Sequence, residues 1–298
     1  MTLLAVPNVS EGRDHAAIKS IGAALATANT RLLDIHSDPD HHRSVFTLAG
    51  EPGTLAGAVL AGAREAKARI DLSRHKGAHP RVGAIDVAPI VYLRDSDRGA
   101  ACAEALVLGD LLGHELGLPV FLYGPLADDR TRSELRRGGP AGLAARVAAN
   151  ELRPDFGPRE LHPSAGAVLV AARRPLVAFN VELEPPATLQ DAKAIAASVR
   201  EGGPGGLRSV RAIGCWLEHR RVAQVSTNVE DHLATPLRTV IEAICARAPV
   251  AGAELVGLAP RAAFEDFPQG VPIAGRALIE DALDAGGRPV AHACAPTA

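Results

Sequence analysis

The chain is poor in cysteine, in aromatic residues and in any excess of one charge, and each shortage removes a class of function. Its four cysteines, Cys102, Cys215, Cys245 and Cys294, are scattered with no C-x-x-C pair, so neither a disulfide framework nor a zinc knuckle is indicated and packing or surface thiols are expected. Aromatic residues make up 3%, too few for the stacking platforms that hold single-stranded nucleic acid. Lys and Arg total 32 against 34 Asp and Glu, a formal net charge of -2, which supplies no global basic field for a phosphate backbone. Nucleic acid is therefore not an expected partner. No apolar run reaches the ~20 residues of a membrane span. Met1 to Ser10 lacks the basic start and apolar core of a secretory leader, so a cytoplasmic protein without membrane contact is expected.

What is present describes a folded chain. Of 298 residues, 47% are hydrophobic and 22% charged, far from the low-hydrophobicity regime of disorder. In the second half, Leu176–Glu184 reads as a strand stopped at Pro185-Pro186,. Thr188 and Asp191 form a capping box for a helix carrying Ala192, Ile195, Ala196 and Val199,. Strands Leu207–Leu217 and Arg221–Val229 make a hairpin; Thr235-Pro236 then caps and opens a helix with Leu237, Val240, Ile241 and Ile244 on one stripe, and Ala253–Leu258 is the closing strand,. The order is βαββαβ, the ferredoxin-like split βαβ arrangement, with helices on one face of an antiparallel sheet.

The first half repeats it with strands at Leu3–Pro7, Arg31–Ile35, Ser44–Leu48 and Ile85–Leu93, and helices after Asp14 and over Thr54–Ile70. A helix at Ala100–Leu116, a strand at Val120–Tyr123, a helix near Leu143 and a strand at Ala167–Val170 enlarge it. The fold class is thus α/β (α+β): two ferredoxin-like βαββαβ subdomains with helices packed on mainly antiparallel sheets, divided into 1–175 and 176–298. After Pro260 one helix is expected, over Ala274–Leu283, followed by a frayed tail.

Three polar loops of the first half carry candidate chemistry. Val6–Arg13 enters the first helix, where backbone N–H groups and Ser10 are placed to hold an anion or a carbonyl; an ordinary capped turn has the same pattern. Asp34–Ser44, read as the loop between two strands, packs Asp34, Asp38, Asp40, His36, His41, His42 and Arg43 together, more histidine than a hairpin tip needs. Arg74–Asp86 holds His75 and His79 with Gly77 and Pro80 between and beside them, which argues against a helix and for fixed loop histidines. Flanked by Lys76 and Arg81, such a histidine suits proton transfer near anionic groups.

These segments, VPNVSEGR, DIHSDPDHHRSVFTLAG and IDLSRHKGAHPRVGAIDVAP, strongly resemble the formiminotransferase family. The resemblance continues through Pro154–Pro158, AFNVEL, AQVSTNVEDHLATP and ELVGLAP, covering roughly Leu3 to Pro260. It implies two ferredoxin-like subdomains and transfer of a formimino group from N-formimino-L-glutamate to N5 of tetrahydrofolate, the co-substrate, with no metal. The residues after Pro260 are too few for a cyclodeaminase domain. By resemblance the catalytic histidine is His79. His36 and Asp38 are its candidate assistants: His36 stands where the family has an acidic residue, and Asp38, or alternatively Asp34 or Asp40, is expected to take that acid's place.

Asn8, Ser10, Glu11, His42, Arg43, Lys76 and Arg81 are candidate substrate-binding residues, the last three, together with Arg74, as cations for carboxylates. The folate loop maps to Gly157–Gly166, with Gly157, Pro158, Pro163, Ser164, Ala165 and Gly166 as its binding residues. His42 replaces the family's asparagine, Val9 a phenylalanine, and Ala171-Ala172-Arg173 stands for Gly-Ala-Arg. A homodimer through the exposed sheet face of the second half is expected. Two other readings stay open. One is a metal-dependent hydrolase or deaminase using His36, His41, His42, His75 and His79 with Asp38, Asp40 or Asp86. The other is an inactive folate-binding protein of the same fold.

Overall fold

A computed structural model describes residues 1–285 and the backbone of the strand 290–293. The chain forms two compact units: Met1–Arg173 with the strand 290–293, and the stretch from Arg174 through the helix that ends at Asp284. The tail strand thus lies with the first unit, not with the second half as the division at 175 has it. No helix among the described residues is long and apolar enough to cross a membrane.

The first unit runs β1 (Leu3–Ala5), β2 (Asn8–Val9), α1 (His15–Leu25), β3 (Thr30–Asp38), β4 (Arg43–Gly50), α2 (Leu55–Arg69), β5 (Ile85–Tyr92), α3 (Arg98–Leu116), β6 (Val120–Leu122), α4 (Arg132–Arg136), α5 (Gly139–Ala148) and β7 (Val168–Arg173). The second has β8 (Val177–Leu183), α6 (Leu189–Val199), β9 (Val210–Leu217), β10 (Val222–Val229), α7 (Leu237–Cys245), β11 (Val250–Val256), β12 (Ile273–Ala274) and α8 (Ile279–Asp284); β13 (Val290–Ala293) rejoins the first sheet.

The second sheet has the order β12-β11-β8-β10-β9. Its four main strands are antiparallel neighbours, the split βαβ pattern with α6 and α7 over Val177, Phe179, Val181 and Leu183,. The Thr188–Asp191 capping box of α6 is present on both sides,. Three local expectations are corrected. Thr235 does not cap α7, because its hydroxyl donates to the Arg208 carbonyl at 2.7 Å. The helix expected over Ala274–Leu283 starts only at Ile279, since Ile273–Ala274 pairs with β11. The face opposite the helices is not simply open, for Asn180, Gln224 and Glu254 on it are buried.

The first sheet has the order β13-β3-β4-β1-β5-β7-β6, with β2 bridging β4 and β5. The run β3-β4-β1-β5 is antiparallel and repeats the split βαβ order, but β7 and β6 extend it in parallel and β13 pairs in parallel with β3. This sheet is therefore mixed. Helices also cover both its faces. Val168, Val170 and Ala172 of β7 belong to the core beneath α1–α3, whereas Ala167, Leu169 and Ala171 pack with Leu135 of α4 and Leu143 of α5. Burial on both faces is why β7 reads as an unbroken apolar run.

Asp14 caps α1 by accepting from the Ala16 and Ala17 N–H groups,. α2 lacks a side-chain cap of its own. Glu104 of α3 supplies it from across the core, accepting the Gly53 N–H and, at 2.7 Å, that of Ala56. Both donors are at a helix N-terminus, where a carboxylate also gains from the helix dipole. Glu104→Ala strands two donors beside a buried position and is expected to cost about 1–3 kcal/mol, read as a lower urea midpoint at unchanged slope. A loss under about 0.5 kcal/mol, ordinary for a surface site, would contradict the assignment.

Candidate active site

The site is built on the β3–β4 hairpin, which is tighter than the sequence suggests. β3 continues to Asp38 and β4 begins at Arg43, its register partner, so the turn is only 39–42. His36 and Asp38 are strand residues, not loop residues as expected. With Asp34 they alternate onto the side away from α1 and α2, and all three are buried,. Burial pushes the Asp34 carboxyl up to about 7,. The turn ends on His42 with φ 50°, the left-handed region in which Asn and His are enriched among non-glycine residues. The backbone at this position therefore accommodates a histidine,.

The 75–81 loop is clamped onto this turn. A Cβ on Gly77 would meet the His41 carbonyl oxygen at 2.6 Å and the His42 Cβ at 2.7 Å, so only glycine lets the two segments approach,. Ala78 N–H donates to the Asp40 carbonyl at 3.2 Å. His75 Nε2 donates to the His42 carbonyl at 3.0 Å, and the two rings stack with centroids 4.2 Å apart. His42 Nδ1 accepts from the Gly12 N–H at 3.1 Å and lies 3.4 Å from Glu11 Oε1. Arg81 donates to the Gly77, His79 and His75 carbonyls at 3.2, 3.1 and 2.9 Å. Those bonds make Arg81 a clasp for its own loop.

His79, half-buried, is held at the end of this loop. Its Nε2 lies 2.6 Å from Arg43 Nη1. A guanidinium only donates, so Nε2 is the acceptor and the ring proton sits on Nδ1. Burial, then the charges of Arg43 and Arg136, hold the His79 pKa well below 6.5, with His41 and Arg132 adding to the effect. His41 meets its ring edge-on at 6.2 Å. Burial and Arg136 lower the pKa of Arg43 itself to about 10, which leaves it cationic at neutral pH.

Sequence reasoning missed Arg132 and Arg136. They are four residues apart on α4, behind a Thr131–Glu134 capping box that fixes the helix start,. Arg136 pairs with Asp86 of β5, whose other oxygen accepts the Val82 N–H at 2.6 Å. Two arginines at helical spacing, the first inside that box, are the sequence's trace of them, and they read equally as solvated surface.

Other expected residues have different surroundings. The Ser10 hydroxyl donates to the Gly83 carbonyl at 2.7 Å, and its N–H to Ala84. Glu11 accepts the Arg13 and Asp14 N–H groups. Glu11 and Asp14 thus hold the N–H groups of Arg13, Asp14, Ala16 and Ala17 around the start of α1. Asn8 donates to the Val6 carbonyl, and Lys76 is exposed.

In the 157–166 loop, Gly157 packs on Gly113 and the Leu118 carbonyl, and Gly166 on the Val82 carbonyl. The Ser164 and Ala165 carbonyls accept the N–H groups of Leu72 and Ala84. Gly157, Ala165 and Gly166 thereby serve close backbone packing, while Pro158 and Pro163 are exposed. Segment 72–84 is the hub to which the first loop, the hairpin turn and the 157–166 loop are all bonded. Among the described residues no three His, Cys, Asp or Glu side chains gather as a metal-binding group; the His79 acceptor faces a guanidinium instead.

These shifts predict a stability profile. Burial lowers the pKa of His42 and His79, and takes His75 to about 4 with help from Arg81. Between a folded value of about 4 and an unfolded value of 6.5, the unfolded chain binds more protons, so stability falls as pH is lowered through that window. Asp34, raised from 3.8 to about 7, acts in the opposite sense, but burial also lowers His162 and His232, so it is one group against five histidines. Urea midpoints should therefore drop from pH 6.5 towards 4. Midpoints rising over that range would contradict it.

Comparison with known proteins gives a consistent relationship. The model of the formiminotransferase domain, N-terminal subdomain, matches residues 2–173, and that of the formiminotransferase domain matches 178–268. A pig (Sus scrofa) protein named formimidoyltransferase-cyclodeaminase is 42% identical over 277 residues, 88% of this chain and 50% of its own length. The chain spans about half the length of the relatives of that name. Proteins named glutamate formimidoyltransferase are covered more fully. That of Streptococcus pyogenes serotype M1 is 37% identical over 89% of this chain and 91% of its own length; that of Thermoplasma acidophilum is 35% identical over 88% and 89%.

Proposed function

The chain belongs to the formiminotransferase domain family, and on that premise we propose that it transfers a formimino group from N-formimino-L-glutamate to N5 of tetrahydrofolate, with His79 as the proton carrier. The reaction is amine exchange at an amidine carbon. N5 attacks and an N–C bond forms; the tetrahedral intermediate then loses the bond to the glutamate nitrogen. The proton leaving N5 must reach that nitrogen, so one group has to accept it and then donate it.

The observation that carries the reading is a neutral His79 with an acceptor nitrogen, fixed by a loop clamped to the hairpin turn. A protonated imidazole could not begin as a base, and a site lined by Arg43, Arg132 and Arg136 keeps it unprotonated,. The same cations suit a dicarboxylate donor and an anionic folate tail. The assembly we propose is a homodimer, two-fold contacts being the commonest.

The test mixes purified protein with tetrahydrofolate and N-formimino-L-glutamate, acidifies, and follows 5,10-methenyltetrahydrofolate by absorbance. Product formed only with both substrates supports the proposal. Absence of product at saturating substrate would overturn it.

A further inference from the structure

The neutral state that makes His79 a usable base comes with an obstacle. The lone pair needed for proton transfer is on Nε2, and Arg43 Nη1 sits on it at 2.6 Å. The Nδ1 position carries the ring proton in that arrangement, so the imidazole has no second acceptor. Arg43 cannot take up a proton itself. As the protein stands, His79 is protected from protonation and also barred from accepting.

Arg43 is placed to be moved. It is the first residue of β4, directly after the four-residue turn, and faces its register partner Asp38. Asp38 is already engaged, its Oδ1 accepting the His41 N–H at 2.7 Å. Arg136, the other cation that most affects Arg43, is tied to Asp86. An incoming carboxylate offers a guanidinium a planar, bidentate partner, stronger than a single bond to a neutral imidazole nitrogen.

We infer that Arg43 is a positioning residue that latches His79: its guanidinium occupies the Nε2 lone pair until a carboxylate of the formimino donor draws it away and frees that nitrogen. The inference rests on the proposed transfer reaction and adds an order of events to it. A donor without a carboxylate in reach leaves the base latched. In the step that follows, Nε2 accepts the proton from N5 as the N5–carbon bond forms and returns it to the glutamate nitrogen as the bond from that nitrogen to the amidine carbon breaks, so His79 ends as it began.

The groups around the latch are Arg43 on β4, His41 and Asp38 on the hairpin, and Arg132 and Arg136 on α4 with Asp86 beneath them. The measurement is nitrogen NMR of the His79 ring in the whole chain, assigned by its loss in His79→Asn, with L-glutamate, the dicarboxylate product, as probe. Wild type without probe should show a bare Nε2 and no titration near 6.5. Saturating L-glutamate should shift the Nε2 resonance as the guanidinium leaves.

Arg43→Gln should move the His79 titration upward and abolish the response to the probe. It should also raise KM for N-formimino-L-glutamate by about 10- to 100-fold, with Arg43→Lys recovering part of the loss. Far-ultraviolet circular dichroism and the urea midpoint establish that each variant is folded. A His79 titration unchanged in folded Arg43→Gln overturns the latch; so does a wild-type Nε2 resonance that ignores bound L-glutamate. If the His79 ring behaves as described but no formimino transfer is detected, the latch stands and the substrate assignment falls. If transfer is detected and the ring ignores Arg43, the latch alone falls.

Discussion

Replacing His79 with alanine is expected to lower turnover by roughly 10² to 10⁴, the usual worth of a general acid–base group, while binding of the folate product analogue folinate changes little. The split follows from where His79 sits. Its contacts are with Arg43 and the edge of the His41 ring, whereas the loop that carries it is fastened through neighbouring groups. Those are the Gly77 fit, the Ala78 N–H, His75 and the Arg81 clasp. Removing the imidazole therefore leaves the loop in place. It also releases Arg43 from its neutral partner, so KM for the carboxylate-bearing donor should stay level or fall even as kcat collapses. The check is a paired determination of kcat and KM on folded protein, with folinate affinity measured separately. Unchanged kcat would remove His79 from the reaction, and a parallel loss of folinate binding would make its role structural.

How far this site could be read from the sequence depends on which pattern each residue breaks. Apolar periodicity locates most helices and strands because each has one buried face, and it yields the split βαβ order of both units. It stops short on β3, where Asp34, His36 and Asp38 are buried on the side away from α1 and α2. Buried polar residues invert the strand pattern, so the second half of β3 reads as loop. His79 is legible because glycine and proline bracket it.

Arg136 is not legible. Its partner lies 50 residues earlier in the chain, on a different element, and a charged residue on a short capped helix looks like solvated surface. The glycines of the 157–166 loop have a packing reason of their own, on Gly113, Leu118 and Val82. His42 is legible only with the backbone in hand, through its left-handed φ. Nothing in the structure explains why His36 stands at a position where the family carries an acid.

Arg136→Met is expected to destabilise the first unit by about 3–5 kcal/mol. The ion pair it breaks is not a surface pair: the Arg136 and Asp86 side chains are 12% and 3% exposed. Asp86 keeps one bond, from the Val82 N–H, but its other oxygen would be left ionised and unpaired in a buried place, which is what makes breaking half of such a pair costly. Asp86→Asn in the same background removes the stranded charge while retaining an acceptor for Val82, so the double variant should be less destabilised than the sum of the two singles.

Urea unfolding of the four proteins measures this directly. A cost below about 1 kcal/mol for Arg136→Met, the range of exposed pairs, would show that solvent reaches the pair. The same substitution also acts on chemistry. Arg136 is among the charges holding His79 unprotonated, so its loss should move the acid limb of kcat/KM upward in pH in any variant stable enough to assay. A fold defect alone would lower the amount of active protein and leave the position of that limb where it was.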